Sequence, residues 1–353
     1  MSLEATSATL PWLAEPLRRA LTSPQKAHAL LLHGPAGVGQ FQLALSLAQA
    51  WLCESPTAPL PLRPCGICAS CRLVQARSHP DLLVLVPEAL RESLGWTAAG
   101  DDGDDAGEAR GSKKKKPSKD IRVEAVRGAV EFATTTSARG RGKVVVVHPA
   151  ERMNLVAANA FLKTLEEPAG NARFLLCSAA ADALLPTIRS RCQAIVLPVP
   201  PRLDAEGWLA GEGVEEAGVL LDACGGQPEE VIAWRGLGID AAACRALPGR
   251  VALGDATALH GLPLTVVVDI LQKVCHDAAA LACDAPPRYF PAGGLVAGAR
   301  LVDLLHWAAE LRRVAAEAEH PWSVDLSIES LVQQGREALK TPRTSMRREA
   351  SSR

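Results

Sequence analysis

The sequence predicts an α/β domain with a parallel sheet, followed by an all-α remainder. Up to about residue 199, short β-branched runs alternate with helical patterns, the signature of strand–helix units. From about residue 200 the β signal disappears and alanine- and leucine-rich helical patterns take over. A glycine-rich turn joins the first strand to the first long helix, as in nucleotide-binding α/β domains.

The first strand is placed at 29–34, "ALLLHG", and the turn "HGPAGVGQFQLA" follows it. Gly34, Gly37 and Gly39 keep the spacing of a phosphate-binding loop, G-x-x-x-x-G-K-[ST]. Gln40 stands where the lysine belongs and Phe41 where the hydroxyl belongs, so the groups for the β/γ phosphates and the magnesium ion are missing. The helix at 41–52 then leads to Cys53, Cys65, Cys68 and Cys71. Successive C-x-x-C spacing, with a fourth cysteine from the end of the preceding helix, supplies four thiolates for a tetrahedral zinc with no open position, hence a structural site. Cys177, Cys192, Cys224, Cys244, Cys275 and Cys283 are scattered singly and read as small core residues or inert thiols.

The second strand is expected at 81–87. Residues 97–119, acidic and then basic, have almost nothing to bury and read as a disordered insertion, with the lysines at 113–116 part of a solvated loop. A helix is expected at 121–136, and the third strand at 142–149 carries the unbroken run "VVVV" of a strand buried on both faces. An active phosphate-loop ATPase would end that strand with Asp-Glu; His148 and Pro149 stand there, and Glu151 is poorly placed as a substitute. In the helix at 154–168, Asn154 caps the start, Leu155, Ala158, Leu162 and Leu165 form one stripe, and Pro168 stops it. Strands at 173–179 and 194–199 follow, with Ser190, Arg191 and Cys192 just ahead of the last. An arginine there is either a plain exposed charge or a group that reaches a phosphate held by a docked neighbour.

Beyond residue 200, 217–234 reads as helix, glycine break, helix, and long amphipathic helices are expected at 264–283, 299–319 and 324–339 before a polar, basic tail. A chain of 353 residues accommodates two or three domains. The formal net charge of −1 leaves no global field for nucleic acid or membrane, so any DNA contact comes from local patches. With no signal-like start and no long apolar run, a soluble cytoplasmic protein is expected, which favours metal binding over disulfides for clustered cysteines.

The order "HGPAGVGQFQLA", four cysteines, "SHPDLLVLVPE", "IRVEAVRGAVEFATTTSARGRGKVVVV", "NAFLKTLEEP" and "RSRCQ" resembles the delta-prime family of bacterial DNA polymerase III, part of the sliding-clamp loader of the AAA+ class. "KTLEEP" and "SRC" are shared widely among clamp-loader subunits, whereas the altered loop and missing carboxylates point to delta-prime. The resemblance implies a RecA-like AAA+ domain at 1–199 with the zinc module at 53–71, a small helical lid at 200–240, a helical collar that mediates oligomerisation at 241–340, and a disordered tail at 341–353. It also implies a non-hydrolysing stator in a hetero-oligomer with tau/gamma motor subunits and delta, acting indirectly on the sliding clamp and primed DNA. ATP is then bound by the neighbours, not by this chain. Arg191, within Ser190-Arg191-Cys192, serves as the arginine finger in trans, and Cys53, Cys65, Cys68 and Cys71 hold the zinc. The chain thus has no catalysis of its own inside an enzyme assembly. It departs from the family in its long charged insertion and in the segment 225–231, "GGQPEEV", which lacks a nucleotide-sensing arginine. Two other readings of the residues are a divergent ATPase using Glu151 and a zinc-dependent DNA-binding protein.

Overall fold

The computed structural model describes residues 10–23, 27–56, 59, 62–96, 117–296, 298–317 and 323–340. Most of the predicted insertion, including the lysines at 113–116, and the tail at 341–353 lie outside the described residues. The chain divides into two compact units, Met1–Asp204 and Ala205–Arg353.

The first unit is built on five strands: β1 (Ala29–His33), β2 (Leu82–Leu85), β3 (Val144–Val147), β4 (Arg173–Ser178) and β5 (Gln193–Val196). They pair in parallel in the order β2-β3-β4-β1-β5, with Leu31 opposite both Leu176 and Ala194 and Val145 opposite Phe174. The order is out of sequence because parallel neighbours need crossovers, and the intervening segments supply them as helices. Helix α1 (Ala14–Thr22) precedes β1, and α2 (Gln40–Leu52), α3 (Ala69–Gln75), α4 (Glu88–Leu94), α5 (Val123–Thr134) and α6 (Leu155–Glu166) lie between strands. A short α7 (Pro186–Arg189) precedes β5. This is the parallel-sheet α/β domain expected from the sequence.

Strand residues alternate between two covered faces. Leu31, Val145, Val147, Phe174 and Leu176 share one core with Val126 and Ala129 of α5 and with Phe161 and Leu165 of α6. Phe161 meets Phe174 edge-on at 5.3 Å. Helix α2 packs on β1, β3 and β4, burying Leu43, Ala44, Leu47 and Ala48. Asn154 caps α6 as expected, its side chain accepting the Ala157 N–H at 2.8 Å. The inward stripe differs from expectation: Ala157, Ala158, Phe161, Thr164 and Leu165 are buried, whereas Leu155 is 64% exposed. Leu155 is the first residue of the helix, and packing begins only at Ala157.

The second unit is helical: α8 (Arg202–Gly211), which starts at the boundary, α9 (Ala217–Ala223), α10 (Pro228–Gly236), α11 (Ala241–Leu253), α12 (Leu264–Ala282), α13 (Leu301–Glu317) and α14 (Val324–Ala338). Gly225 and Gly226, both at positive φ, end α9, and Pro228 opens α10 with its preset φ. Helix α11 carries Pro248 in its interior yet persists, capped by Asp240 through the Ala243 N–H and closed by Gly254 in the left-handed region. One continuous core runs from Leu209, Leu221 and Trp234 through Val267, Leu271 and Leu304 to Leu331 and Val332. The segments 200–240 and 241–340 therefore share buried surface. Among the described residues no helix is long and apolar enough to cross a membrane.

Candidate functional site

The turn after β1 has Gly37 and Gly39 at positive φ and is met by its own Gln40 side chain. Gly39, at φ 99°, takes a left-handed backbone that favours glycine, and a Cβ there would also press on the Leu10 and Leu13 side-chain ends at 2.7 and 2.9 Å. The Trp12 indole N–H donates to the Val38 carbonyl at 2.8 Å, laying the N-terminal segment against the turn. Gln40 is buried, and its Nε2 donates to the carbonyls of Gly34 at 2.9 Å and Pro35 at 2.5 Å. The residue in the lysine position is thus tied to the loop's own carbonyls.

Phe41 is also buried and stacks on His148, with ring centroids 4.7 Å apart and planes inclined by 25°. An aromatic pair therefore joins the hydroxyl position of the loop to the carboxylate position after β3. Burial pushes the His148 imidazole down to about 4, so it is neutral near pH 7, and its Nδ1 is buried without a hydrogen-bond partner. Glu151, in the short turn Ala150–Arg152, accepts the Ala179 N–H on Oε1 at 3.0 Å. That carboxylate is directed to the backbone beyond β4. The lysine ammonium, hydroxyl and strand-end carboxylates that would meet a magnesium triphosphate are replaced by an amide, a phenyl ring and a neutral imidazole.

The Ser-Arg-Cys segment connects α7 to β5. Ser190 Oγ donates to the Thr187 carbonyl at 3.1 Å, and Cys192 packs against the sheet core, where burial pushes its thiol up to about 12. Between these two anchors the Arg191 side chain stays 29% exposed. Its Nε donates to Glu166 Oε1 at 2.6 Å, its Nη2 donates to the same oxygen, and Nη1 donates to the Thr187 carbonyl at 2.8 Å. Glu166 belongs to the "KTLEEP" stretch at the end of α6. Nothing in the spacing of that stretch assigns this glutamate a partner.

The four cysteines converge as expected. Their Sγ atoms lie within 4.8 Å of one another, with Cys65–Cys71 at 3.9 Å and Cys68–Cys53 at 4.0 Å. Four thiolates at zinc–sulfur distances of about 2.3 Å stand about 3.8 Å apart on a tetrahedron, so the donor set fits that geometry. Gly66, at φ 73°, makes the turn between Cys65 and Cys68. The Cys68 N–H points at Cys65 Sγ and the Cys71 N–H at Cys68 Sγ, each at 3.4 Å. Amide hydrogen bonds from Cys68 and Ile67 draw the Cys65 thiol down to about 6, towards the thiolate that a metal binds.

A buried relay supports this cluster. The Asp81 N–H donates to His79 Nδ1 at 3.0 Å, which places the imidazole proton on Nε2. Nε2–H then donates to Ser70 Oγ at 2.6 Å, and Ser70 donates to the Leu52 carbonyl at 2.7 Å. Helix α3, which carries Cys71, is thereby pinned to the end of α2, next to Cys53. Nearby, Arg139 grips Glu54 through Nε at 2.6 Å and Nη2 at 2.9 Å. The other cysteines divide by position: Cys177, Cys224, Cys244 and Cys275 are buried, Cys192 is half-buried and Cys283 is exposed.

A family model described as DNA polymerase III, delta subunit, matches residues 11–201. DNA polymerase III subunit delta' of Pseudomonas aeruginosa is 40% identical over 208 residues, covering 58% of this chain and 54% of that protein. The subunit of the same name from Escherichia coli K12 is 33% identical over 216 residues, covering 60% and 56%. The chain spans about half the length of the curated relatives it matches. A gamma subunit-related protein of DNA polymerase III from Thermotoga maritima aligns with a TM-score of 0.44 at 17% identity, covering 93% of this chain and 99% of that one. With more than half of its length matched, from the start of the described residues through β5, the chain belongs to the DNA polymerase III delta-subunit family, among sequences named delta'.

Proposed function

We propose that this chain is the non-hydrolysing delta-prime subunit of a bacterial clamp loader, assembled with tau/gamma motor subunits and delta. In this reading Arg191 is lent to the ATP held by an adjacent motor while the sliding clamp is placed on primed DNA. One observation carries the proposal: the chain's own phosphate loop is closed by Gln40 and by the Phe41–His148 stack, while the Arg191 guanidinium remains at the surface. A guanidinium placed on a neighbour's γ-phosphate stabilises charge that develops during phosphoryl transfer.

Cys53, Cys65, Cys68 and Cys71 hold a structural zinc in this reading. When bound, the metal supplies a four-thiolate cross-link between the end of α2 and α3. In this reading residues 200–240 supply the lid and residues 241–340 the collar through which the loader assembles.

The test is reconstitution of the loader with tau/gamma, delta and this chain, in wild-type form or carrying Arg191→Ala. Arg191→Ala lowers DNA-stimulated ATP hydrolysis by a factor of ten or more while assembly on size-exclusion chromatography is retained. Unchanged hydrolysis in that complex overturns the trans role. Micromolar binding of magnesium ATP to the isolated chain by calorimetry overturns the non-nucleotide reading.

A further inference from the structure

We infer that Glu166 is a positioning residue for Arg191: its carboxylate holds the guanidinium in one orientation before any neighbour docks. The inference rests on the reading of Arg191 as the arginine given in trans and adds a second residue to that site.

The two residues are 25 positions apart and come from different elements, Glu166 from the last turn of α6 and Arg191 from the link between α7 and β5. A single carboxylate oxygen receives both Nε–H and Nη2–H, which fixes the plane of the guanidinium. The Thr187 carbonyl receives Nη1–H and prevents rotation about the end of the side chain. Both anchors are well seated. Thr187 lies in α7, whose Ile188 is fully buried, and Glu166 directly follows Leu165, which is fully buried. Nη1 also donates to Ser190 Oγ at 3.3 Å, which leaves the second hydrogen of Nη2 for a further acceptor on a side chain that is 29% exposed.

A free arginine side chain has large rotamer freedom, which is lost when it engages a phosphate. An arginine already held in place loses less. Glu166 is 47% exposed, so water screens the pair and the contact does not lock the arginine away from a more highly charged anion. Glu166 thus orients the guanidinium without acting on phosphate itself. The effect falls on turnover rather than on nucleotide affinity, since the motor subunit's own groups bind the ATP.

The experiment uses the same reconstituted loader with wild-type chain, Glu166→Ala, Glu166→Gln and Arg191→Ala, each checked for assembly and thermal stability. Glu166→Ala lowers the kcat of DNA-stimulated hydrolysis threefold to tenfold and leaves KM for ATP within twofold. Glu166→Gln, which keeps the Oε1 acceptor, recovers at least half of the lost rate. In the free chain, the ¹⁵N-edited Nε–H resonance that disappears in Arg191→Ala is slowly exchanging in the wild type and in Glu166→Gln, and exchanges rapidly in Glu166→Ala.

If Arg191→Ala slows the loader but Glu166→Ala leaves kcat unchanged or raises it, the positioning role is wrong and the trans arginine stands. If Arg191→Ala has no effect, the underlying reading fails and takes the inference with it. An Nε–H signal equally exposed in wild type and Glu166→Ala also overturns the inference.

Discussion

Phe41 and His148 stack with their ring centroids 4.7 Å apart, joining the start of α2 to the end of β3 through two residues that a nucleotide site would not carry. The contact is structural: Phe41 is 7% exposed, and its ring fills space between the turn and the sheet. Phe41→Ala is expected to destabilise the chain by about 3–5 kcal/mol, from lost burial and an unfilled cavity. Urea unfolding followed by circular dichroism measures it, and a loss below about 1 kcal/mol would show that the site collapses to fill the gap.

The same pair gives a pH dependence. His148 has a folded-state pKa of about 4, below the ordinary imidazole value of 6.5, because burial disfavours its charged form. Between these values the unfolded chain binds the proton and the folded chain does not. Its contribution to stability is therefore complete above about pH 6.5 and declines as pH falls towards 4. Wild type should lose more stability than His148→Gln between pH 7 and pH 4.5, by on the order of 1–3 kcal/mol. Parallel denaturation curves across that range would contradict the assignment.

Metal removal should separate the cysteine cluster from the rest of the fold. The purified chain is expected to carry one zinc per molecule by elemental analysis, and a strong chelator should lower its melting temperature. Cys71→Ser, at a fully buried ligand position, should lose the metal and show the same lowered melting temperature without chelator. An identical melting temperature with and without chelator would exclude a structural role for a bound metal.

Asp277 is fully buried in α12, and its carboxylate accepts the backbone N–H groups of Arg288 at 2.9 Å and of Tyr289 and Phe290 at 2.8 Å each. It therefore fixes the loop that follows the helix. Asp277→Asn puts a donor where two of these amides point, and a cost of about 2–4 kcal/mol is expected. Hydrogen exchange at the amides of 288–290 should accelerate in the variant, and unchanged protection would rule out this anchoring.

At the α13–α14 contact, a Cβ on Gly335 would come within 2.5 Å of the Trp307 ring. Gly335→Ala gains helix propensity in α14 but overpacks the contact, and the net result should be a loss of about 1–3 kcal/mol. Trp307 also donates its indole N–H to the Leu331 carbonyl at 3.2 Å, so a shift in tryptophan fluorescence should accompany the loss.

The strands were legible because each is a short β-branched or leucine-rich run between turn residues, and "VVVV" at 144–147 could hardly be anything but a doubly buried strand. The cysteine cluster was legible because metal ligands keep a short spacing along the chain. What escaped lies in long-range pairing. Nothing local links Glu166 to Arg191, or shows that the Gln40 amide turns back onto Gly34 and Pro35. Helix α11 was hidden by Pro248, whose cost is tolerated because Leu247, Pro248 and Val251 all face the core. Leu155 misled in the other direction: its spacing fits the stripe of α6, but its position in the first turn leaves it outside the packing.

The closed loop also constrains how this sequence can change. Gln40→Lys alone would put a buried ammonium where a neutral amide now meets the Gly34 and Pro35 carbonyls, adding a charge with no described anion beside it. Restoring a hydroxyl at position 41 alone would open a cavity beneath His148, and an aspartate at 148 alone would set an unpaired carboxylate against Phe41. Each of these single exchanges is expected to lower stability, by burying a charge or by opening a cavity. Phe41 and His148 are therefore coupled: neither can be exchanged for a nucleotide-site residue without leaving the other's ring uncovered.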